Sequence, residues 1–351
     1  MSSDETGLKA LAGFDKARLN RELETLAAAS AGGIAWEPLP VDGVPPQQEL
    51  SMPPQLESAR PFRGSIPSQQ RIASFSSIVS GHSEDLPDYD AQGGLVMAQE
   101  PLSEGFDIHG FPRGSGAGRC LHAILEQIDF QDLSNPAVMP LIEEQLLLHA
   151  IEPRWLPVVI ELLRRLVATP LNPDGLTLGQ VTREKRLDEM EFYFPVHGLD
   201  PALIQRLGER HGFSPHSALT QGLGGVSSER LDGFIKGFID LTFEWQGRYY
   251  LADYKSNWLG QGVEAYHPEA LQGAMLEHGY PLQYALYTLA LHRYLRRRIE
   301  GYDYDRHMGG VYYLFLRGMT PESGPERGVV AERPEAAFIE ALDRLVAGEE
   351  S

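Results

Sequence analysis

Asp253 and Lys255 stand two residues apart in Leu251-Ala-Asp-Tyr-Lys255, and strand periodicity puts their carboxylate and ammonium on one face. Upstream, Asp240 interrupts the mostly apolar run from Phe234 to Phe243. Gln246-Gly247, between the two runs, reads as a two-residue hairpin turn. If Trp245 pairs with Arg248 around it, Asp240 lies directly opposite Asp253, with β-carbons about 5 Å apart. Opposed carboxylates repel unless a cation stands between them, and an aspartate flanked by Ile239 and Leu241 is costly unless liganded. A hard divalent cation on oxygen ligands would lower the pKa of a bound water and polarise a phosphoryl oxygen, while Lys255 orients the water or stabilises added negative charge. An Asp-x-Lys tripeptide by itself is commonly only a surface pair on an edge strand. Asp240 is what turns the reading toward a cation site.

Two helical segments carry further candidates. In Gly118-Arg-Cys-Leu-His-Ala-Ile-Leu-Glu126, His122 and Glu126 are four apart on one helical face, while Leu121, Ile124, Leu125 and Ile128 form the buried side. A lone helical histidine is more often a satisfied core or surface residue than a ligand. In the helix beginning at Tyr280-Pro281, Gln283 and Tyr287 share a polar stripe. The end of that helix, His292-Arg-Tyr-Leu-Arg-Arg-Arg298, is strongly basic. It reads equally as complementation of the helix dipole and as a phosphate-binding surface. The glycine-rich Gly114-Ser-Gly-Ala-Gly118 lacks the Gly-Lys-Ser/Thr of a P-loop, so no ATPase is expected.

The elements that must position these residues are legible from periodicity. Helices are predicted near Gly118–Phe130, Pro140–His149, Trp155–Ala168, Pro201–Arg210, Pro268–Glu277 and Leu282–Ile299, with strands near Glu191–Val196, Ile235–Trp245, Arg248–Lys255 and Gly310–Leu316. Helices around a few strands predict a mixed α/β domain. A strand or the start of a helix is expected at Ile72–Ile78, and a weaker helix at Leu8–Ala28. The Pro-, Gln- and Ser-rich stretch Pro38 to Pro67 reads as an extended linker unable to order itself alone.

Composition narrows the class. With 351 residues, 42% hydrophobic and 23% charged, the chain is neither wholly disordered nor collagen-like. No apolar run approaches the ~20 residues of a membrane span, and MSSDETGLKA shows neither a signal core nor an Arg-rich transit pattern. A cytoplasmic protein without membrane contact is expected. The single cysteine, Cys120, excludes an internal disulfide, a four-cysteine zinc site and an iron-sulfur cluster, so any metal must sit on oxygen and imidazole. The net charge of −19 is opposite to that of a free-standing nucleic-acid binder, and residues 1–105, with 15 Asp/Glu against 7 Lys/Arg, carry −8 of it. Any contact with DNA or RNA would need a local basic groove, a bound cation or a basic partner.

Taken in order, Gly118-xxx-His122-xx-Leu125-Glu126, Gly237-Phe-Ile-Asp240, Asp253-Tyr-Lys255-Ser-Asn257 and Gln283-xxx-Tyr287 resemble the motifs of RecB-type nucleases in the PD-(D/E)XK superfamily. The stretches Leu251 to Gly260, Leu282 to Leu295 and Gly309 to Gly318 resemble, more closely, the carboxyl-terminal nuclease domain of exodeoxyribonuclease V beta subunits. Ser74-Phe75-Ser76-Ser77 resembles the Ser-Tyr-Ser signature that opens that domain, and the resemblance runs over roughly residues 71–335.

The resemblance implies an α/β fold with a restriction-endonuclease-like core, a mixed central sheet flanked by helices. That nuclease domain would occupy residues 71–351, behind an acidic, largely disordered linker-like segment, 1–70. It further implies Mg²⁺ held by His122, Asp240, Asp253 and the backbone carbonyl of Tyr254, with Mn²⁺ substituting and Ca²⁺ binding without full activity. Asp240, Asp253 and Lys255 would be catalytic, Gln283 and Tyr287 would place the DNA strand, and Glu126 and Glu191 are accessory candidates. The implied activity is hydrolysis of single-stranded or unwound DNA fed by a motor, in RecBCD-type break repair, beside RecC-like and RecD-like subunits and a strand-exchange protein. The helicase portion of that architecture is missing from this sequence. A non-catalytic docking fragment of a RecB-like subunit is the rival reading, and the complete His122, Asp240, Asp253 and Lys255 set argues against it.

Overall fold

Residues 16–30, 32–37, 70–73, 106–211 and 231–349 are described by the structure, a computed structural model. They fall into two compact units. The first contains helix α1 (Lys16–Ala29), where Leu19, Leu23 and Leu26 recur at helical spacing. Residues 8–15 of the expected helix, the linker from Pro38 to Pro67, the Ser74-Phe75-Ser76-Ser77 signature and the acidic stretch after it lie outside the described residues.

The second unit runs β1 (Gln70–Ala73), α2 (Ser115–Gln127), α3 (Val138–Leu148), α4 (Leu156–Ala168), β2 (Arg186–Leu199), α5 (Pro201–Arg210), β3 (Leu231–Trp245), β4 (Arg248–Lys255), α6 (Pro268–Glu277), α7 (Tyr280–Arg298), β5 (Met308–Phe315), β6 (Val329–Glu332) and α8 (Ala336–Val346). The strands form one open six-stranded sheet in the order β1-β3-β4-β5-β6, with β2 also paired to β3. β1 and β3, and β4 and β5, are parallel, and the other pairs are antiparallel. This is the mixed α/β sheet flanked by helices that the order of elements predicts, an arrangement consistent with a restriction-endonuclease-like core. No element was expected after Leu316, yet β6 and α8 follow. β6 is too short to carry a period, whereas α8 does show one, burying Phe338, Ile339, Leu342 and Val346.

Alternation along β4 and β5 divides the core. Ala252, Tyr254, Tyr312 and Leu314 pack with α2, α3 and α4, while Leu251, Val311, Tyr313 and Phe315 pack with α6, α7 and α8. Asp253 and Lys255 therefore project toward the α7 side. The turn between β3 and β4 has φ of 51° at Gln246 and 77° at Gly247, the two left-handed residues of a type I′ hairpin. That turn sets the expected register, from Trp245↔Arg248 to Leu241↔Ala252.

β3 does not keep one face throughout. Leu241 and Phe243 pack on the α2 side, but Ile239 and Ile235 pack on the α7 side, so the strand turns over at Asp240. β2 turns over beside it. Arg186 lies on the Phe130 ring of the α2 side, whereas Phe192 and Phe194 belong to the α7 side. Between them Glu189 takes a left-handed backbone with φ 50°, an outlier for a non-glycine residue in a strand. Gly237 is small for a separate reason: it pairs with Phe192, and a β-carbon there would come within 2.5 Å of the Phe192 ring.

Candidate metal centre

α2 delivers His122. Its buried stripe, Leu121, Ile124 and Leu125 with Ile128 just beyond, is at most 1% exposed at every position, each side chain contributing roughly 1.5–3 kcal/mol of burial. His122 sits at the edge of the stripe and is itself buried. Its Nε2 is 2.9 Å from the carbonyl oxygen of Tyr254. A carbonyl only accepts, so Nε2 carries the proton and Nδ1 faces Asp240 Oδ2 at 3.4 Å. A neutral ring would point a lone pair at a carboxylate, an arrangement relieved by a proton or a metal cation between them.

Asp240 sits where the β3–β4 ladder ends. The last pair of the ladder is Leu241↔Ala252, and one step further the Asp240 side chain replaces a backbone partner, its Oδ2 accepting the Tyr254 N–H at 2.7 Å. On its other side, Glu189 falls between Asp188, paired with Leu241, and Met190, paired with Ile239, and so stands across from Asp240. His122, Glu189 and Asp240 each offer a ligand atom within 4.8 Å of the others. Two carboxylates and an imidazole suit Mn²⁺, and Mg²⁺ if waters complete the shell.

Asp253 and Lys255 form a buried pair, with Nζ 2.8 Å from Oδ1 and 3% and 1% exposure. The ammonium also lies 3.9 Å from the centre of the Tyr280 ring, a cation–π contact. Burial pushes the Asp253 carboxyl up to about 7. Lys255 opposes that shift and the Asp240 charge reinforces it.

The residues named from sequence divide by position. His122, Asp240, Asp253, Lys255 and the Tyr254 backbone are brought together. The Tyr254 carbonyl is engaged as the acceptor for His122 Nε2. Asp253 is outside the group of mutually close ligand atoms and is turned to Lys255. Glu126 is exposed. Glu191 is also exposed, paired with Lys236 at 3.2 Å, and Glu189 takes the place by Asp240. The sequence carried a carboxylate at both positions. Only the β2–β3 register, set across a long connection, selects between them.

Gln283 and Tyr287 are 1% and 3% exposed. The Gln283 amide donates to the Tyr287 hydroxyl at 3.2 Å, and the Tyr313 hydroxyl donates to Gln283 Oε1 at 2.8 Å. The Tyr287 ring meets Phe192 edge-on, 5.3 Å between centres. Neither side chain offers a face for a base to stack on, so the polar stripe read from spacing is internal to the core. An open aromatic stands elsewhere: Trp258, three residues past Lys255 and 36% exposed, with the Arg113 guanidinium 3.6 Å over its ring.

No protein-family model matches the chain. Among curated proteins, it is 39% identical over 322 residues to the RecBCD enzyme subunit RecB of Escherichia coli, covering 90% of this chain and 26% of that protein. The RecB subunit of Haemophilus influenzae is 35% identical over 304 residues, 81% of this chain and 24% of that one. That of Mycobacterium tuberculosis is 34% identical over 358 residues, 90% and 32% respectively. The chain thus spans about a quarter to a third of the length of these relatives.

Proposed function

The chain is homologous to RecB subunits over nine tenths of its own length, and from that premise we propose that it is a divalent-metal-dependent deoxyribonuclease module. Its substrate is single-stranded or unwound DNA, in repair of the RecBCD type. The observation that carries this reading is the adjacency of the His122, Glu189 and Asp240 ligand group to the buried Asp253–Lys255 pair. Here Glu189 joins the assigned residues, Asp253 completes the carboxylate environment, and residues 71–351 form the nuclease unit.

His122, Glu189 and Asp240 would hold a Mg²⁺ or Mn²⁺ ion, which would supply a water of lowered pKa and Lewis-acid polarisation of the phosphoryl oxygen. The chain's own residues orient and exclude. Asp253 and the Tyr280 ring hold the Lys255 ammonium in place, positioned to stabilise negative charge that grows on the phosphoryl group. The hydrogen bond from His122 Nε2 to Tyr254 fixes the ring so that Nδ1 faces the ligand group. Trp258, capped by Arg113, is a stacking surface for a base beside the scissile bond. Gln283 and Tyr287 act from behind, bracing Tyr313, whose ring centre is 5.5 Å from Lys255 Nζ. RecC-like and RecD-like subunits and a strand-exchange protein are the partners this reading assigns, in the cytoplasm, where a motor feeds the strand.

Nucleotide release from single-stranded and duplex DNA, measured with Mg²⁺, with Ca²⁺ and with chelator, tests the proposal. Mg²⁺-dependent release that Asp240→Asn removes is the expected result. No release from either substrate with Mg²⁺ or Mn²⁺, together with retained partner binding, would favour the docking-fragment reading.

A further inference from the structure

The basic end of α7 is not used by the metal centre, and it borders a groove of about 770 Å³ between β2, α7 and α8. Its lining carries Arg293, Arg296, Arg297, Arg298 and Arg344 against three carboxylates, Glu191, Asp343 and Glu349, a local excess of positive charge on a chain whose net charge is −19. Asp343 is occupied by Arg293 and Arg296, the latter at 3.1 Å. Arg297, Arg298 and Arg344 are exposed. Helix-dipole complementation explains cations in the last turn of α7. Arg344 stands in the last turn of a second helix, α8, so two helix carboxyl ends bring their cations to the same groove.

The floor of the groove is β2 from Met190 to Pro195, roughly 17 Å at the rise of a strand. Among the described residues β2 pairs only with β3, so its other edge offers backbone groups rather than a neighbouring strand. Four aromatics belong to the lining, Phe192, Tyr193, Phe194 and Tyr294. Phe192 and Phe194 are buried against α7, Tyr294 lies under the Arg298 guanidinium, and the Tyr193 ring, on the other face of the strand, stacks on Phe234. The lining begins at Met190, the residue after Glu189 of the metal group. One strand of the sheet thus leads from the metal group toward a channel of arginines, a surface that suits the phosphates of a nucleic-acid strand. Continuity with the metal group along β2 favours the strand being cut, rather than an acidic protein segment, as the occupant.

We propose that this groove binds the backbone of single-stranded DNA next to the metal centre, as a second contact surface for the strand being cut. The proposal rests on the nuclease reading for its purpose, yet binding can be measured without hydrolysis. The test uses the whole chain in chelator and follows the fluorescence anisotropy of a labelled oligothymidylate. Arg297→Glu/Arg298→Glu, both exposed and distant from the ligand group in sequence, should weaken binding about tenfold or more. It should also lower the slope of log affinity against log salt by about 1.4, at ~0.7 per phosphate contact on single strands. Arg344→Glu, on another wall, should weaken binding several-fold with the melting temperature unchanged, whereas Tyr193→Ala, on the opposite face of β2, should leave binding as it is.

Asp240→Asn should leave oligonucleotide binding intact, so a loss of hydrolysis there speaks to the nuclease reading and not to the groove. Wild-type affinity and salt slope in both groove variants would overturn the proposal. So would a polyglutamate peptide that binds the same arginines more tightly than the oligonucleotide, which would assign the groove to an acidic protein partner.

Discussion

Glu189 stands across the β2–β3 ladder from Asp240 in a left-handed backbone conformation, at the point where both strands turn from one core to the other. A non-glycine residue held there costs about 1 kcal/mol or more, and strain of that kind persists where surrounding structure enforces it. The neighbouring Asp188 is fixed by Arg186 at 3.2 Å, so the turn-over is anchored on the α2 side as well.

From this geometry, Glu189→Gly should raise the metal-free melting temperature, by an amount equivalent to about 1 kcal/mol, because glycine accepts positive φ. The same substitution should shrink the melting shift induced by Mg²⁺ or Mn²⁺. Glu191→Ala should leave that shift unchanged. Differential scanning fluorimetry with and without metal checks both; an unaltered metal shift in Glu189→Gly would remove Glu189 from the ligand set.

Lys255→Met keeps the apolar stem in its buried slot but deletes the ammonium. Cleavage should fall by about two orders of magnitude or more while metal still raises the melting temperature, since no ligand of the metal group is lost. Single-turnover cleavage of an end-labelled single strand measures the first effect. A rate near wild type would make the Asp253–Lys255 pair structural only.

The Asp253 carboxyl gives a pH signature. Its folded value, about 7, is above its ordinary value of 3.8, so the folded protein binds the extra proton more tightly than the unfolded chain. The stabilisation is fully present below about pH 4 and is lost as pH rises through about 7. Metal-free wild type should therefore lose stability over that window relative to Asp253→Asn, whose dependence should be flatter. Denaturant melts between pH 4 and 8 compare the two slopes, and parallel slopes would contradict the assignment.

Tyr287→Phe removes the hydroxyl that accepts from Gln283 and should cost about 1 kcal/mol, the net worth of a typical intramolecular hydrogen bond. Oligonucleotide affinity should barely change, because that side chain is buried. Trp258→Ala should do the reverse, weakening single-strand binding by ~1–3 kcal/mol with little effect on folding. A large affinity loss in Tyr287→Phe would restore a direct DNA contact to α7.

Arg317 is buried, 1% exposed. It donates to the carbonyls of Ser256, Ile108, Phe111 and Pro112, at 2.9, 2.6, 3.0 and 2.6 Å. The segment before α2 is thereby fastened to the residue after Lys255. Arg317→Ala should destabilise by about 3–5 kcal/mol, and Arg317→Lys should rescue little, since one ammonium cannot reproduce the planar fork. Urea melts of the three proteins decide it.

Local pattern is enough to read the β3–β4 hairpin and to single out His122, Asp240, Asp253 and Lys255 as candidates. Gln246-Gly247 fixes the β3–β4 register as far as Leu241↔Ala252, a local consequence of turn geometry. The next step, expected to set Asp240 directly opposite Asp253, is not a ladder pair, because β3 turns over there and the Asp240 carboxylate takes the Tyr254 N–H. His122 was recognisable by motif, and its position at the border of the α2 stripe follows from helical spacing. Three matters were decided only by tertiary structure. Glu189 or Glu191 could each have stood by Asp240, and the choice depends on pairing across the stretch from β2 to β3 and on a backbone reversal that no local pattern encodes. Gln283 and Tyr287 looked like a polar face, but α7 is buried on nearly every side, so their polar atoms satisfy one another. The groove at the end of α7 needs Arg344 and β2, which meet it only because α8 folds back against the sheet; residues remote in sequence acquire a shared charge environment only when packing brings their elements together.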